Sequence, residues 1–360
     1  MIFLHTIQLP QSQNTDLSSK HSAQTYSPPT QPSSAPQQQQ LIEDQKVLVF
    51  IDDYQGRVEK AKAGGPGGEL KLFNSLMKSL PMHYDFAQSQ QDLSAFDVDS
   101  YPLIFMDQYG LDSLHSLVKP GDRSKVYDKL RLLDFWGTPP EQNHLKLDLK
   151  QFLVPYPNPW NFFLGFVIEP LPESPPKFSD QDSKIHCLLH GKESRYFYES
   201  GMMLKSLSDS GDFLFHSTVF DSSFHSQYPF VEAHGLLNST AFRQLLFQVD
   251  FVLGLGHPML APTALESIAS GTPYFNFLFS QPFSLSDLPK HPKRSQHDFA
   301  MELGEPFVYT FNTHDANQVL RFAQMSQSRR FSPKQGLSAV ADFSQEAYSS
   351  RLEQLLATQL

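Results

Sequence analysis

Short hydrophobic runs alternate with polar, turn-forming stretches along most of the chain. Runs of this length predict buried strands, and apolar residues at helical spacing between them predict helices. The predicted strands occupy residues 46–51, 103–106, 130–137, 162–168, 185–189, 213–216, 251–255, 273–277 and 306–309. The predicted helices occupy residues 70–80, 196–207, 240–246, 316–324 and 346–356, with a polar loop at 54–62. This alternation predicts an α/β fold with two doubly wound, Rossmann-like domains that face a cleft.

The best-defined unit is residues 250–273, where an apolar run meets a glycine turn and a helix. Gly256 ends the run, Pro262 suits a first helical position, and Gly271 suits a position just past the helix end. A helix start in this place receives phosphates, because first-turn amides lack partners and the dipole favours an anion. Glu266 lies one turn further on, within reach of a ribose hydroxyl. From these residues alone, an ordinary βα unit is as well supported as a nucleotide site.

A second candidate stretch is the glycine-rich segment 63–73, which precedes a helix. Its four glycines allow the backbone to approach a ligand closely, and Glu69 follows the last of them. A phosphate-binding P-loop is excluded, because the Lys-Ser/Thr pair is missing. On the residues alone, the alternative is a plain flexible loop whose Glu69 suits the helix dipole.

Composition restricts the function classes. The chain has 360 residues and a formal net charge of −10. This negative charge argues against a protein that binds nucleic acid through the phosphate backbone. The single cysteine, Cys187, excludes an internal disulfide and a cysteine-rich zinc site. The histidines show no metal-ligand spacing, so no metal site is expected.

The domain organisation follows from shifts in composition. Residues 1–44 are rich in Gln, Ser and Pro and are predicted to be disordered. Residues 45–170 form the first predicted domain, and residues 171–335 form the second. The proline-rich, acidic stretch 170–176 is the predicted linker. Residues 336–360 are predicted to form a helix that packs back on the domains.

Several motifs together resemble the catalytic region of glycosyltransferase family 18, from about Lys46 to the last helix. Each motif is weak alone, but they follow the family's order, which makes the resemblance specific. The motifs are residues 64–70 (GGPGGEL), 134–144 (DFWGTPPEQNH), 164–169 (LGFVIE), 191–192 (GK), 234–237 (HGLL) and 253–271, which includes Pro262 and Leu265-Glu266.

The resemblance implies a GT-B fold with an acceptor-binding first domain and a nucleotide-sugar-binding second domain. It also implies transfer of N-acetylglucosamine from UDP-GlcNAc to the 6-hydroxyl of an α-mannose on an N-glycan. This is the activity of an alpha-1,6-mannosylglycoprotein 6-beta-N-acetylglucosaminyltransferase, a hexosyltransferase that inverts the anomeric centre and requires no metal or other cofactor. The partners are then UDP-GlcNAc and a glycoprotein acceptor, with no nucleic acid.

The resemblance also assigns roles to residues. Glu69 becomes the candidate catalytic base, Lys192 and the helix start near Pro262 hold the diphosphate, and Glu266 binds the ribose. The remaining assignments are Gly256, Thr263 and Ala264 on the donor side, and Gly65, Gly67, Glu141 and Asn143 on the acceptor side.

The chain departs from the family at its best-defined motif. Where the family reads Tyr-Glu-Gly-Pro-Ala-Pro-Leu-Glu, residues 259–266 read MLAPTALE, so that Leu260 replaces a glutamate. The family's disulfides cannot form with one cysteine. A catalytically silent GT-B relative that binds a nucleotide or a glycan is therefore the alternative function.

Localisation rests on the implied function. The family acts in the Golgi lumen, and Asn238-Ser239-Thr240 is a glycosylation sequon, although Ser239 also suits a helix cap. A membrane anchor is not visible in this chain. We therefore expect a longer native chain, with an apolar anchor of about 20 residues before the Gln-rich stretch.

Overall fold

A computed structural model describes residues 46–63, 67–170, 175–283, 293–312 and 315–358. The segment predicted to be disordered lies outside these ranges. The same holds for Gly65 and for residues 171–174 of the predicted linker.

The first sheet has six strands that are all parallel, in the order β2-β1-β3-β4-β5-β6. Its strands are β1 (Val47–Phe50), β2 (Tyr84–Ala87), β3 (Ile104–Asp107), β4 (Leu130–Leu133), β5 (Phe152–Val154) and β6 (Phe162–Phe163). The helices between them are α1 (Tyr54–Lys62), α2 (Gly68–Ser79), α3 (Gln90–Ser94), α4 (Gly110–Leu117) and α5 (Arg123–Asp128). Strands β1, β3 and β4 are buried along their whole length, as continuous apolar runs predict for a sheet covered on both faces.

The second sheet has seven strands, and β12 is antiparallel to β11. Its strands are β7 (Ile185–Leu189), β8 (Phe213–Ser217), β9 (Val231–Ala233), β10 (Phe251–Leu253), β11 (Tyr274–Phe283), β12 (Lys293–Ser295) and β13 (Val308–Phe311). The order is β12-β11-β10-β7-β8-β9, and β13 pairs with the first half of β11. The helices are α6 (Gly201–Asp209), α7 (Ser222–Gln227), α8 (Ser239–Gln248), α9 (Thr263–Ala269), α10 (Asp298–Met301), α11 (Ala316–Ser328) and α12 (Pro333–Ala339).

A last helix, α13 (Gln345–Ala357), returns to the first sheet. Its Tyr348 and Leu352 lie in one apolar cluster with Leu72 and Phe73 of α2. The last helix of the described chain therefore packs on the first sheet, whereas residues 336–344 include the end of α12 and a 3₁₀ turn. The predicted domain division stays a prediction.

The structure corrects several predicted elements. Residues 54–62 form helix α1 and not a loop. The strand predicted at 162–168 contains only Phe162–Phe163, and the helix predicted from residue 196 begins at Gly201, after a 3₁₀ segment at Ser194–Ser200. Helix α8 is capped by Asn238, whose side chain accepts a hydrogen bond from the Ala241 amide, and not by Ser239.

Within the described ranges, no helix combines the length and the apolar character needed to span a bilayer.

Candidate active site

Glu69 lies in the first turn of α2, at the edge of a pocket in the first domain. Its carboxylate oxygen Oε2 is 3.0 Å from a guanidinium nitrogen of Arg57 on α1. Burial raises the pKa of the Glu69 carboxyl above its ordinary value, and the positive charge of Arg57 opposes that rise. A carboxylate with a raised pKa in a pocket is suited to accept a proton from a substrate.

A second carboxylate, Asp107 at the end of β3, faces the same arginine. Its Oδ2 atom accepts a 2.6 Å bond from Arg57, and its Oδ1 atom accepts bonds from the backbone amides of Asp52 and Gly110. The side chain is almost fully buried, and burial raises its pKa. These bonds use both carboxylate oxygens, so Asp107 positions Arg57 and leaves Glu69 as the accessible acid.

Aromatic side chains form the rest of the pocket wall. They are Phe73, Tyr109, Phe135 and Trp136. Tyr109 is 63% exposed, and the Arg57 guanidinium lies over its ring at 4.6 Å. Flat apolar rings beside a carboxylate are well suited to contact the apolar faces of a sugar.

Asp134 shapes the loop that carries two of these aromatic residues. Its Oδ1 atom accepts hydrogen bonds from the Trp136 and Gly137 amides, and its Oδ2 atom accepts one from the Thr138 hydroxyl. Asp134 is buried and holds the chain in a tight turn directly after β4. The turn places Phe135 and Trp136 at the pocket.

On the opposite side, the turn after β10 leads into α9. Gly256 has a φ of +99°, which explains a glycine at this position. Its amide donates to the side chain of the buried Gln296. Leu260, in the place of the family's glutamate, packs its side chain into an apolar cluster, and its carbonyl accepts a bond from Tyr156 of the first domain.

The start of α9 offers fewer amides than the sequence suggested. The amide of Ala264 bonds to the Ala261 carbonyl, and the amides of Leu265 and Glu266 bond to the Pro262 carbonyl. The expectation that the first-turn amides lack partners is therefore wrong for these three. Pro262 precedes the helix, which begins at Thr263 and contains seven residues. A phosphate at this helix would depend on nearby cations.

Two lysines provide such cations beside Glu266. Lys71 of α2 forms an ion pair with the Glu266 carboxylate. Lys192, in the loop after β7, has its pKa lowered by burial, and the charge of Glu266 opposes that shift. Glu266 itself is buried. Glu266, the residue predicted to bind the ribose, therefore pairs with a lysine of the first domain and acts electrostatically on a lysine of the second.

The two halves of the site meet at the starts of α2 and α9. A Cβ atom added at Gly68 would lie 3.0 Å from the Phe135 ring and 3.4 Å from Cδ of Pro262. Glu69 follows Gly68 directly, so the candidate base lies where the pocket of the first domain adjoins the predicted phosphate site of the second.

The structure does not bring every predicted residue to this place. Glu141 is exposed on the 3₁₀ turn Pro140–Gln142. Asn143 bonds to both the carbonyl and the amide of Leu147, which gives it a local structural role. Gly67 precedes α2 as its cap residue, and Gly65 lies outside the described residues. The site roles of all the predicted residues stay predictions.

Sequence reasoning missed Arg57, Asp107, Tyr109 and Lys71. Asp107 had a usable signal, because it directly follows an apolar run and ligands bind beyond the carboxyl ends of parallel strands. Arg57 had no such sequence signal, since its helix α1 has no buried residue and therefore no apolar face to detect.

Comparisons with known proteins show what the chain resembles. Residues 27–359 match the family model described as Glycosyltransferase family 18. An alpha-1,6-mannosylglycoprotein 6-beta-N-acetylglucosaminyltransferase A of Homo sapiens is 27% identical over 306 residues, which covers 72% of this chain and 41% of that protein. The Caenorhabditis elegans alpha-1,6-mannosylglycoprotein 6-beta-N-acetylglucosaminyltransferase is 28% identical over 360 residues, which covers 81% of this chain and 52% of that protein. The chain thus spans about half the length of these curated relatives.

Solved structures show the fold. The lipopolysaccharide outer core galactosyltransferase WaaB superimposes with a TM-score of 0.51 and 10% identity, over 88% of this chain and all of that one. Anabaena Alr3699/HepE in complex with UDP-glucose gives a TM-score of 0.52 and 12% identity, over 87% of this chain and 99% of that one. The fold is GT-B-like, as the sequence predicted.

Proposed function

The chain belongs to glycosyltransferase family 18, and from that premise we propose that it transfers N-acetylglucosamine from UDP-GlcNAc to the 6-hydroxyl of an α-mannose on an N-glycan. The names of the relatives from Homo sapiens and Caenorhabditis elegans support this donor sugar and this acceptor. The observation that carries the proposal is the position of Glu69, in an aromatic pocket and directly beside the start of α9.

In this proposal Glu69 is the general base. The 6-hydroxyl of the mannose gives its proton to the Glu69 carboxylate while its oxygen bonds to the anomeric carbon of N-acetylglucosamine. The bond from that carbon to the UDP oxygen breaks, and attack from the opposite side inverts the anomeric centre. A positioned base contributes roughly 10²–10⁴-fold to such a step.

Lys192 and Lys71 supply positive charge for the departing diphosphate. Three of the first-turn amides of α9 are already bonded, so the lysines carry more of this task than the helix. Preorganised cations of this kind stabilise charge that develops on the leaving group. The proposal needs no divalent metal for the transfer.

The acceptor lies against Phe135, Trp136 and Tyr109 on the first domain. Asp134 fixes the loop of the first two, so they are preorganised for a sugar ring. An acceptor carried on secretory glycoproteins places the proposed site of action in the Golgi lumen.

The test is a transfer assay with defined substrates. The purified chain is incubated with UDP-GlcNAc or UDP-glucose and a panel of N-glycans that differ in the α1,6-linked mannose. We expect a product heavier by one N-acetylhexosamine, β1,6-linked to that mannose, from UDP-GlcNAc alone. UDP binding without any transfer would support the silent relative, and transfer to acceptors without the mannose would reject the proposed acceptor.

A further inference from the structure

A cluster of histidines lies at the outer edge of the second sheet, on strands β8 and β9. His216 of β8 and His234, directly after β9, bring Nδ1 and Nε2 to 2.9 Å from each other. The Glu232 carboxylate of β9 spans the same pair, with Oε2 at 3.6 Å from His216 Nδ1 and Oε1 at 4.0 Å from His234 Nε2. All three ligand atoms lie within 4.8 Å of one another.

The cluster shares no residue with the proposed transfer site. In the sheet order, β10 leads to Gly256 and α9, and β7 and β8 lie between β10 and the edge strand β9. His216 on β8 is two strand spacings from β10, roughly 9–10 Å, and one spacing from β7, whose following loop carries Lys192. None of the three residues lines the pocket of Glu69.

Further side chains hold His216 in one orientation. Its Nε2 atom is 2.9 Å from Nδ1 of His186 on β7, and Nε2 of His186 is 3.0 Å from the Asp182 carboxylate. Because an ionised carboxylate only accepts, His186 Nε2 carries a proton. In a neutral His186, Nδ1 then accepts a hydrogen bond from the protonated Nε2 of His216. His216 Nδ1 then presents a lone pair toward His234 and Glu232.

Aromatic packing reinforces that orientation. The ring of Phe178 stacks on that of His216 with ring centroids 5.1 Å apart, and the hydrogen-bonded rings of His186 and His216 lie nearly parallel, with centroids 5.2 Å apart. His216 is almost fully buried. This outer arrangement, in which a carboxylate and a second imidazole fix the tautomer of a histidine, is the one that supports metal-bound histidines in proteins.

We propose that His216, Glu232 and His234 bind one Zn²⁺ ion, through Nδ1, a carboxylate oxygen and Nε2. Two imidazoles and a carboxylate are a common zinc ligand set, with Zn–N distances of about 2.0–2.1 Å. Tetrahedral geometry at those distances separates the two nitrogens by about 3.3 Å, so the 2.9 Å pair needs to open by only a few tenths of an ångström. His234 shifts its proton to its other ring nitrogen, and the fourth position is open to water.

Such an ion ties the edge strand β9 and the loop after it to β8. It binds the folded state alone, because the three ligands come together only when the two strands pair, and it therefore stabilises the fold. It takes no part in the transfer reaction. The sequence showed no metal-ligand spacing because residues 216 and 234 become neighbours only through strand pairing.

The test measures zinc binding directly on the purified chain without a polyhistidine tag. The protein is stripped with a chelator, titrated with ZnCl₂ against a competing indicator, and loaded with Co²⁺ to record the visible absorption of a tetrahedral site. We expect one equivalent of bound Zn²⁺, a tetrahedral Co²⁺ spectrum and a higher melting temperature with zinc, with UDP binding unchanged.

Variants decide whether the ion occupies this cluster. Glu232→Gln and His234→Gln change side chains that are not fully buried, so the fold is retained, and each should weaken Zn²⁺ binding by at least about 10–100-fold. The matched controls His83→Gln and Glu199→Gln change exposed residues elsewhere and should leave the affinity as in the parent. Absence of stoichiometric zinc binding, or equal affinity in all four variants, would overturn the proposal.

Discussion

Two carboxylates bond to the same arginine, and their surroundings separate their roles. Asp107 is buried and accepts bonds on both oxygens from Arg57 and two backbone amides. Glu69 bonds to Arg57 through one oxygen and lines the pocket. Position and accessibility, more than residue type, therefore leave Glu69 as the carboxylate of the pair that is open to the pocket.

Replacement of Arg57 should shift the pH dependence of transfer. Burial raises the pKa of the Glu69 carboxyl, and the positive charge of Arg57 opposes this rise, so Arg57→Gln should raise that pKa further. A base must be ionised, so activity is present above this pKa and is lost as the pH falls through it. The acidic limb of the kcat/KM profile should move to higher pH in Arg57→Gln. The control Arg294→Gln removes an exposed ion pair and should leave the acidic limb at the pH of the parent. An acidic limb that does not move in Arg57→Gln would show that Arg57 does not influence the pKa of the base.

Lys192 should contribute to the affinity for the nucleotide UDP. A hydrogen bond to a charged group is worth about 1.5–3 kcal/mol, so Lys192→Ala should weaken UDP binding by roughly 10–100-fold, as measured by calorimetry. Because no metal takes part in the proposed transfer, EDTA should leave turnover unchanged when the assay is run well below the melting temperature of the metal-free protein. Lys205→Ala, at an exposed ion pair on α6, is the matched control. Restoration by Mn²⁺ of an EDTA-inactivated reaction would contradict the assignment.

At the scale of elements, α9 is short and depends on its neighbour α12. A Cβ atom added at Gly336 of α12 would lie 1.8 Å from the Ile268 carbonyl oxygen of α9. The two helices therefore touch backbone to backbone, which only glycine permits. This contact sets the position of the helix that faces the proposed diphosphate.

Gly336→Ala should therefore destabilise the protein by forcing α12 away from α9. Overpacking of this kind costs about 1–3 kcal/mol, and the urea midpoint of unfolding should fall accordingly. Gly121→Ala adds the same methyl group where nothing lies within 4 Å, and its midpoint should match the parent. Equal midpoints for the two variants would show that the helices are not in close contact.

The elements that the sequence predicted well are those with a clear apolar signal. Strand β10 and helix α2 have buried apolar residues at the required spacing, and both were found. Helix α1 buries none of its residues, so no periodic signal marked it, and its Arg57 was missed with it. Lys71 is visible in the sequence, but its partner Glu266 lies 195 residues away, and no local pattern reveals such a pair.

At the scale of the whole molecule, contacts between distant segments assemble the site. Lys71 reaches Glu266 from the other domain, and Tyr156 donates to the Leu260 carbonyl. The C-terminal helix α13 completes the apolar cluster around Leu72 and Phe73. The helix that carries Glu69 is therefore held in part by the last residues of the fold.

Leu352→Ala should test whether the packing of α13 stabilises the first domain. Loss of a buried leucine costs about 2–5 kcal/mol, so thermal unfolding should begin at a clearly lower temperature, although residue 352 is far from Glu69 in sequence. Glu353→Ala, on the exposed side of the same helix, should leave the transition unchanged. A similar small shift in both variants would mean that α13 adds little to the first domain.

The most direct measurement for the central claim separates turnover from binding in Glu69→Gln. The variant and its control Glu59→Gln, at an exposed ion pair on α1, are assayed for N-acetylglucosamine transfer and for UDP affinity. We predict that Glu69→Gln lowers kcat by roughly 10²–10⁴-fold, with UDP affinity unchanged, and that Glu59→Gln behaves as the parent. Turnover of Glu69→Gln within a few fold of the parent would show that another group accepts the proton.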